Sequence, residues 1–147
     1  MLEALKGKTL VTAESCTGGG IGAALTGISG SSEVYKGGVI CYTDWVKSNI
    51  LGVDQQLIDC HGAVSAPVAR QMALRAKSLM QADVAVSVTG LAGPGGDSYG
   101  NAVGTVYIGL CSGKAEIVRE FLFSGDRNSI REQAVEAALN MILEYSK

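Results

Sequence analysis

The sequence predicts a single α/β domain in which helices cover both faces of a mixed β-sheet. Three observations lead to this prediction. Helical and strand-like segments alternate over most of the chain, a strand hairpin and a last helix follow, and glycines stand at turns beside apolar runs. The 147 residues suffice for one well-buried core and are too few for two ordinary domains, so we expect one domain over residues 1–147.

The first half of the chain contains two predicted strands and three predicted helices. A short lead-in precedes a strand over residues 8–13, and the small residues at 19–25 predict a helix able to pack close to the sheet. A second strand is expected over residues 37–42. Thr43 and Asp44 offer a cap for a helix that Gly52 ends, and Asp54 begins a short helix up to Cys60.

The middle of the chain predicts one long helix and one buried strand. Ser65 followed by Pro67 marks a helix start, because proline is tolerated in a first turn. Apolar residues then recur at helical spacing, at Ala69, Met72, Ala73, Ala76, Leu79 and Met80. Residues 83–89 contain three valines and an alanine, which predicts a strand that is buried on both faces.

The last third of the chain predicts a hairpin and a final helix. Residues 104–111 and 115–124 read as two strands around the turn Ser112-Gly113-Lys114. Ser129 and Glu132 match a capping box that would open the helix. Its expected apolar stripe comprises Ile130, Ala134, Ala137, Met141 and Tyr145.

Composition narrows the class of protein. The net charge is −2 and lysines and arginines form no cluster, so we expect no nucleic-acid binding. The four cysteines are scattered without a Cys-x-x-Cys pair, which predicts neither zinc ligation nor disulfides but reduced thiols in a cytoplasmic protein. No signal peptide or membrane-spanning run is visible, and we expect no contact with membranes.

The turn after the first predicted strand is the strongest candidate site. Ser15 is followed closely by three consecutive glycines, Gly18 to Gly20, at the start of a predicted helix. Bare N–H groups at such a turn suit a phosphate, a carboxylate or an oxyanion. Ser15 is therefore either a nucleophile or a helix cap. A second glycine-rich loop, residues 90–96, follows the third strand, and ligands bind beyond the carboxyl ends of strands in open α/β sheets.

General motifs do not assign the chemistry. The turn lacks the lysine of a Walker A loop and the glycines of a dinucleotide or hydrolase-elbow motif. The only histidine, His61, stands beside Gly62 in a predicted turn, where a surface or capping role is the ordinary interpretation. A serine nucleophile would then need lysine or tyrosine as its base, and Tyr42 and Lys47 are the candidates. Their spacing is equally compatible with a packed ring and a solvated amine.

Two arginines near the start of the last helix are a further candidate. Arg127 and Arg131 are four residues apart and share a face if the helix extends back that far. Cations in a first helical turn oppose the helix dipole, and a bound anion would reverse that penalty. Two solvated arginines are the alternative.

These segments together resemble the C-terminal domain of the CinA family, the family of nicotinamide mononucleotide deamidases. The resemblance spans nearly the whole chain. It rests on Ala13-Glu14-Ser15-Cys16-Thr17-Gly18-Gly19, Gly37-Gly38-Val39-Ile40 with Tyr42 and Lys47, Gly62-Ala63-Val64-Ser65, Val88-Thr89-Gly90-Leu91-Ala92-Gly93-Pro94-Gly95-Gly96, Val103-Gly104-Thr105-Val106-Tyr107-Ile108-Gly109, and Gly125-Asp126-Arg127 with Ile130-Arg131.

The resemblance implies hydrolysis of nicotinamide mononucleotide to nicotinic acid mononucleotide and ammonia, without a metal or cofactor. It implies that Ser15 is the nucleophile and that Tyr42 and Lys47 form the basic pair. The implied substrate-binding residues are Cys16, Thr17, Gly18, Gly19, Thr89, Gly90 and Gly93, with Arg127 or Arg131 contacting phosphate.

Two segments differ from the family pattern. Asp44 stands where the family usually has asparagine, and residues 97–102 lack the usual Lys-Pro. A related amidase with a different substrate is therefore one alternative. A non-catalytic domain that binds a phosphate ligand or a partner, linked to competence, is another. We also expect a homo-oligomer, because a small-residue domain with exposed sheet edges is suited to self-association.

Overall fold

The structure is a computed structural model that describes residues 1–147. The chain forms five strands and five α-helices, with two short 3-10 turns at Glu3–Leu5 and Ser31–Glu33. Three helices follow one another before the third strand, and three strands follow one another before the last helix. The strands are β1 (Leu10–Glu14), β2 (Tyr35–Ile40), β3 (Val84–Gly90), β4 (Thr105–Ser112) and β5 (Glu116–Leu122). The helices are α1 (Gly20–Thr26), α2 (Asp44–Asn49), α3 (Gln55–His61), α4 (Ala66–Leu79) and α5 (Arg127–Ser146).

The strands form one mixed sheet in the order β2-β1-β3-β4-β5. Strand β1 pairs in parallel with β2 and β3, whereas β4 runs antiparallel to both of its neighbours. Glu14 lies opposite Ile40 on one side and Val88 on the other. The carboxyl ends of three strands therefore meet at one edge of the sheet, and the predicted hairpin and mixed sheet are confirmed.

Helices cover both faces of the sheet and create two apolar clusters. One cluster joins α1 and α5 to the face that carries Leu10 and Val86. The other joins α3 and α4 to the face that carries Val11 and Ala85. Neighbouring residues of a strand point to opposite faces, so β1 and β3 contribute to both clusters. The predicted α/β class and the burial of the third strand on both faces are confirmed.

The last helix begins earlier than its predicted capping box. Asp126, not Ser129, is the N-cap, and its carboxylate accepts the N–H of Ser129 at 2.8 Å. Because the Asp126 side chain already accepts an N–H group of the first turn, the helix starts directly after Asp126. The predicted capping box at Ser129 therefore lies inside that turn. Both Arg127 and Arg131 are consequently helical.

Several apolar positions also differ from the predicted ones. Leu79, the last residue of α4, is 56% exposed, because the helix ends there and no element covers it. In α5 the buried stripe is Ile130, Ala134, Ala138, Met141 and Ile142, so Ala137 and Tyr145 pack only at its border. Strand β2 begins two residues before the predicted start and ends at Ile40, which leaves Tyr42 in the following loop.

Candidate active site

The turn between β1 and α1 places Ser15 at the carboxyl edge of the sheet. The Ser15 N–H donates to the carbonyl of Val88 at 3.0 Å, which holds the turn against β3. Only 6% of Ser15 is exposed. Its hydroxyl faces Lys47 and the backbone carbonyl of Tyr42, and the Ser15 Oγ to Tyr42 O distance is 3.4 Å.

Lys47 comes from α2 and reaches Ser15 directly. Its Nζ lies 2.9 Å from Ser15 Oγ and 3.3 Å from the Tyr42 carbonyl oxygen. The residue is 2% exposed, and neither ion pair of the structure includes it. Burial lowers the pKa of Lys47 below its usual 10.5, against a smaller opposing effect of Cys41, Asp44 and Cys16. A buried amine of this kind can lose its proton and act as a base.

The Tyr42 phenol has a different partner. Arg127 Nη2 donates to the Tyr42 hydroxyl oxygen at 3.0 Å, and Arg127 Nη1 donates to the carbonyl of Gly93. The structure thus brings Ser15 and Lys47 into direct contact, whereas Tyr42 contacts them through its carbonyl. Its phenol lies on the same cleft and remains 56% exposed as a residue.

The start of α1 is already occupied by a carboxylate of this chain. Glu14 accepts the N–H groups of Ile21 and Gly22 at 2.8 and 3.0 Å. The first turn of the helix therefore has no free site for a substrate anion. The N–H groups of Cys16 and Thr17, directly after the serine, donate to no acceptor in the protein. They are the ones available to an oxyanion.

A cleft of about 280 Å³ opens above the Ser15–Lys47 pair. Five of the predicted substrate-binding residues line it: Cys16, Thr89, Gly90, Gly93 and Arg127. The Thr89 hydroxyl donates to the carbonyl of Ala63 at 2.9 Å, which ties β3 to the loop before α4. The cleft wall therefore combines the β1–α1 turn, the glycine-rich loop and the segment that precedes α4.

The other four predicted substrate-binding residues do not line this cleft. Thr17 donates its hydroxyl to Glu14, and Gly19 lies against Ile40. Arg131 donates to the backbone carbonyls of Cys16 and Thr17 at 3.0 and 3.3 Å, and Gly18 lies beside its guanidinium. The side chains of Thr17 and Arg131 thus support the turn from behind, whereas the backbone N–H of Thr17 remains without an acceptor in the protein.

Two groups of cleft residues were not among the predicted site residues. Asp44 lines the cleft as the first residue of α2, with Thr43 as the helix cap. Ala63 and Val64 form part of the cleft wall. They belong to the family-like segment at residues 62–65, but nothing in that segment predicts that it lies beside Ser15. His61 ends α3 and lies outside the cleft.

No group of three or more His, Cys, Asp and Glu side chains is placed to hold a metal ion. All four cysteines are free. None of the helices combines the length and apolar character that crossing a bilayer requires.

The fold and the site together define a three-layer α/β domain with a buried serine–lysine pair at the carboxyl ends of its parallel strands. The family model described as the CinA C-terminal domain matches residues 2–146. This chain belongs to that family.

Two relatives illustrate the range of the family. The chain is 50% identical over 121 residues to a CinA-like protein of Thermosynechococcus vestitus, covering 82% of this chain and 29% of that protein. It is 43% identical over 138 residues to the nicotinamide-nucleotide amidohydrolase PncC of Escherichia coli K12, covering 93% of this chain and 84% of that enzyme. Against several other relatives, the chain spans about a third of their length.

Solved structures agree with the fold. A CinA superfamily protein from Enterobacter cloacae superposes with a TM-score of 0.96 at 34% identity, covering 99% of this chain and 88% of that one. A competence/damage inducible protein from Agrobacterium tumefaciens gives a TM-score of 0.92 at 40% identity, covering 96% and 87%.

Proposed function

We propose that this protein is an amidohydrolase that converts nicotinamide mononucleotide to nicotinic acid mononucleotide and ammonia, with Ser15 as nucleophile and Lys47 as base. One observation carries the proposal: a buried lysine without a carboxylate partner touches a serine hydroxyl at the floor of a cleft. The similarity to PncC, whose name states this class of reaction, supports the amidohydrolase activity.

The first step is attack by Ser15 on the carboxamide carbon. Neutral Lys47 accepts the hydroxyl proton across the 2.9 Å contact while the new C–O bond forms. The carbonyl oxygen becomes an oxyanion, and the unpaired N–H groups of Cys16 and Thr17 are the donors available to it. Their position immediately after the nucleophile is where acyl-transfer sites need such donors.

The second step expels ammonia and leaves an ester on Ser15. Lys47 carries the abstracted proton and can return it to the leaving nitrogen as the C–N bond breaks. Tyr42 is the second proton carrier of the proposal. Because its oxygen accepts from Arg127, its own hydrogen is free to be donated to the substrate. Water then attacks the ester carbon with Lys47 again as base. The ester bond to Ser15 Oγ breaks, Lys47 returns the proton to that oxygen, and the carboxylic acid is released.

Arg127 is the proposed phosphate contact. It lines the cleft and is exposed, and its guanidinium has more N–H groups than the two bonded to Gly93 and Tyr42, whereas Arg131 lies outside the cleft. A planar guanidinium suits the paired oxygens of a phosphate. Thr89, Gly90 and Gly93 would contact the rest of the nucleotide.

The test is ammonia release from nicotinamide mononucleotide, with product identified as the acid. Wild type is expected to turn over, Ser15→Ala to lose activity, and Ser112→Ala, at the far end of the sheet, to keep it. Turnover of a non-pyridine amide alone would assign a different substrate. Thermal stabilisation by the nucleotide without product would favour a binding domain instead.

We also propose self-association and a cytoplasmic location. Strands β2 and β5 are unpaired at the sheet edges, and Ile40, Trp45 and Ile50 are exposed apolar side chains near the β2 edge. Four free thiols suit a reducing compartment. Light scattering of the purified chain at several concentrations tests the first of these statements. A monomer at all concentrations would contradict it.

A further inference from the structure

Glu14 is a buried carboxylate that the proposed reaction does not use. It is 2% exposed, and the two ion pairs of the structure lie elsewhere, at Arg70–Glu116 and Arg119–Glu144. A buried charge is costly unless hydrogen bonds compensate it. Its immediate neighbour in the chain is the proposed nucleophile.

The compensation comes from the nucleophile turn and the elements on either side of it. Glu14 Oε1 accepts the Thr17 hydroxyl at 2.7 Å and the Ile21 N–H at 2.8 Å. Glu14 Oε2 accepts the Gly22 N–H at 3.0 Å and the Thr12 hydroxyl at 3.3 Å. The carboxylate therefore connects strand β1, the turn and helix α1.

The ordinary cap of this helix is missing. Gly19, the residue before α1, has no side chain to accept the first N–H groups. Glu14 takes that place from the preceding strand. The turn over residues 15–19 is consequently fastened at both of its ends by one side chain.

Arg131 binds other atoms of the same turn. Its guanidinium holds the carbonyls of Cys16 and Thr17. A trans peptide points its N–H away from its carbonyl, so the bond to the Cys16 oxygen directs the Thr17 N–H away from Arg131. The turn is thus held by both a carboxylate and a guanidinium.

We propose that Glu14 is a positioning residue for acylation: its carboxylate fixes the turn so that the Ser15 hydroxyl and the unpaired N–H groups keep the spacing that attack requires. This inference rests on the proposed function for the role of Ser15. Glu14 has no hydrogen bond to Lys47 and does not line the cleft, so it acts through the turn and the start of α1.

The substitution Glu14→Gln tests the idea at constant shape. Each carboxylate oxygen accepts a backbone N–H, so the amide NH2 must face one of these donors whichever way the side chain is turned. Because small displacements of reacting groups cost up to about 100-fold in rate, we expect kcat to fall about 10- to 100-fold while KM stays within about twofold. Glu136→Gln, an exposed residue of α5, is the matched control.

A second pair of variants covers the case in which Glu14→Gln does not fold. Thr17→Val removes one hydroxyl bond to Glu14 and leaves the backbone donors in place. We expect a smaller fall in kcat, about 3- to 10-fold by the same reasoning. Thr17→Ser keeps the hydroxyl and recovers most of the kcat that Thr17→Val loses.

A measurement without substrate tests the role of Glu14 separately from the proposed nucleotide substrate. A fluorophosphonate labels an activated serine, so its second-order rate with Ser15 reports the geometry of the turn without any nucleotide. Slower labelling of folded Glu14→Gln or Thr17→Val than of Glu136→Gln supports the proposal, even if wild type releases no ammonia from nicotinamide mononucleotide. Wild-type labelling rates in both folded variants, or a wild type that is not labelled at all, would overturn it.

Discussion

Replacing Lys47 by methionine removes the base while keeping a long side chain in its place. The amine is 2% exposed and its Nζ contacts Ser15 Oγ at 2.9 Å, so no water can substitute for it without rearrangement. General-base catalysis contributes about 10²- to 10⁴-fold, which corresponds to about 2.7–5.4 kcal/mol of activation free energy. We therefore expect Lys47→Met to lose at least about 100-fold in kcat.

For the same variant we expect stability to change in the opposite direction to activity. The pKa of Lys47 is lowered by burial, so the unfolded chain binds more protons than the folded chain between the folded pKa and 10.5. The wild-type free energy of unfolding rises with pH across that window. Below the window, the folded protein bears the whole cost of burying a protonated Lys47 amine. Lys47→Met lacks both the penalty and this slope, and its melting temperature should equal or exceed that of wild type near neutral pH.

Two assays measure these effects. Initial rates of ammonia release at saturating nucleotide give kcat, and thermal unfolding between pH 6 and 10 gives the stability profile. Lys114→Met, at the tip of the hairpin and exposed, is the control for loss of a lysine. A folded Lys47→Met enzyme that keeps more than about a tenth of the wild-type kcat would refute the role of the amine, since a general base contributes far more than tenfold.

Three further predictions concern neighbouring groups. Asp44 raises the pKa of Lys47, so Asp44→Asn should lower it and move the acid limb of the kcat/KM profile to lower pH; an unmoved limb would contradict this coupling. Arg127→Ala should raise KM for nicotinamide mononucleotide more than for the riboside that lacks phosphate, whereas equal changes would remove the phosphate role. Asp126→Ala deletes the cap of α5 and should cost about 1 kcal/mol in urea unfolding; an unchanged free energy of unfolding would contradict the capping role.

The sequence predicts which residues meet at this site better than it predicts the contacts that hold them in place. Ser15 was identifiable because a serine and three glycines follow an apolar strand, and the parallel pairing of β1 with β2 carries Tyr42 and Lys47 to the same edge. The direct contact of Lys47 with Ser15 was not predictable from spacing. It depends on how α2 folds back over the turn, which is a tertiary property.

Glu14 and Arg131 show what the sequence did not predict, namely the side chains that hold the nucleophile turn in place. A glutamate that ends an apolar strand gives no periodic signal, yet one clue was present: α1 begins after glycine, without a polar cap. An uncapped helix start requires an acceptor from another part of the chain, and Glu14 is the nearest one. Arg131 was predicted to face an anion because it lies four residues from Arg127 at a helix start. Its guanidinium instead donates to the Cys16 carbonyl, 115 residues away in the sequence, and no local pattern encodes that contact.

The separation of two buried charges explains how this fold can keep a basic lysine. Glu14 and Lys47 flank the same serine, and an ion pair between them would stabilise the protonated amine and prevent it from accepting a proton. Strand alternation instead directs Glu14 to the α1 side of the sheet, where backbone N–H groups and hydroxyls satisfy it. Lys47 approaches from α2 and finds only neutral oxygens, those of Ser15 and the Tyr42 carbonyl. Because the helix start compensates the carboxylate, the amine is left with the lowered pKa that base catalysis needs.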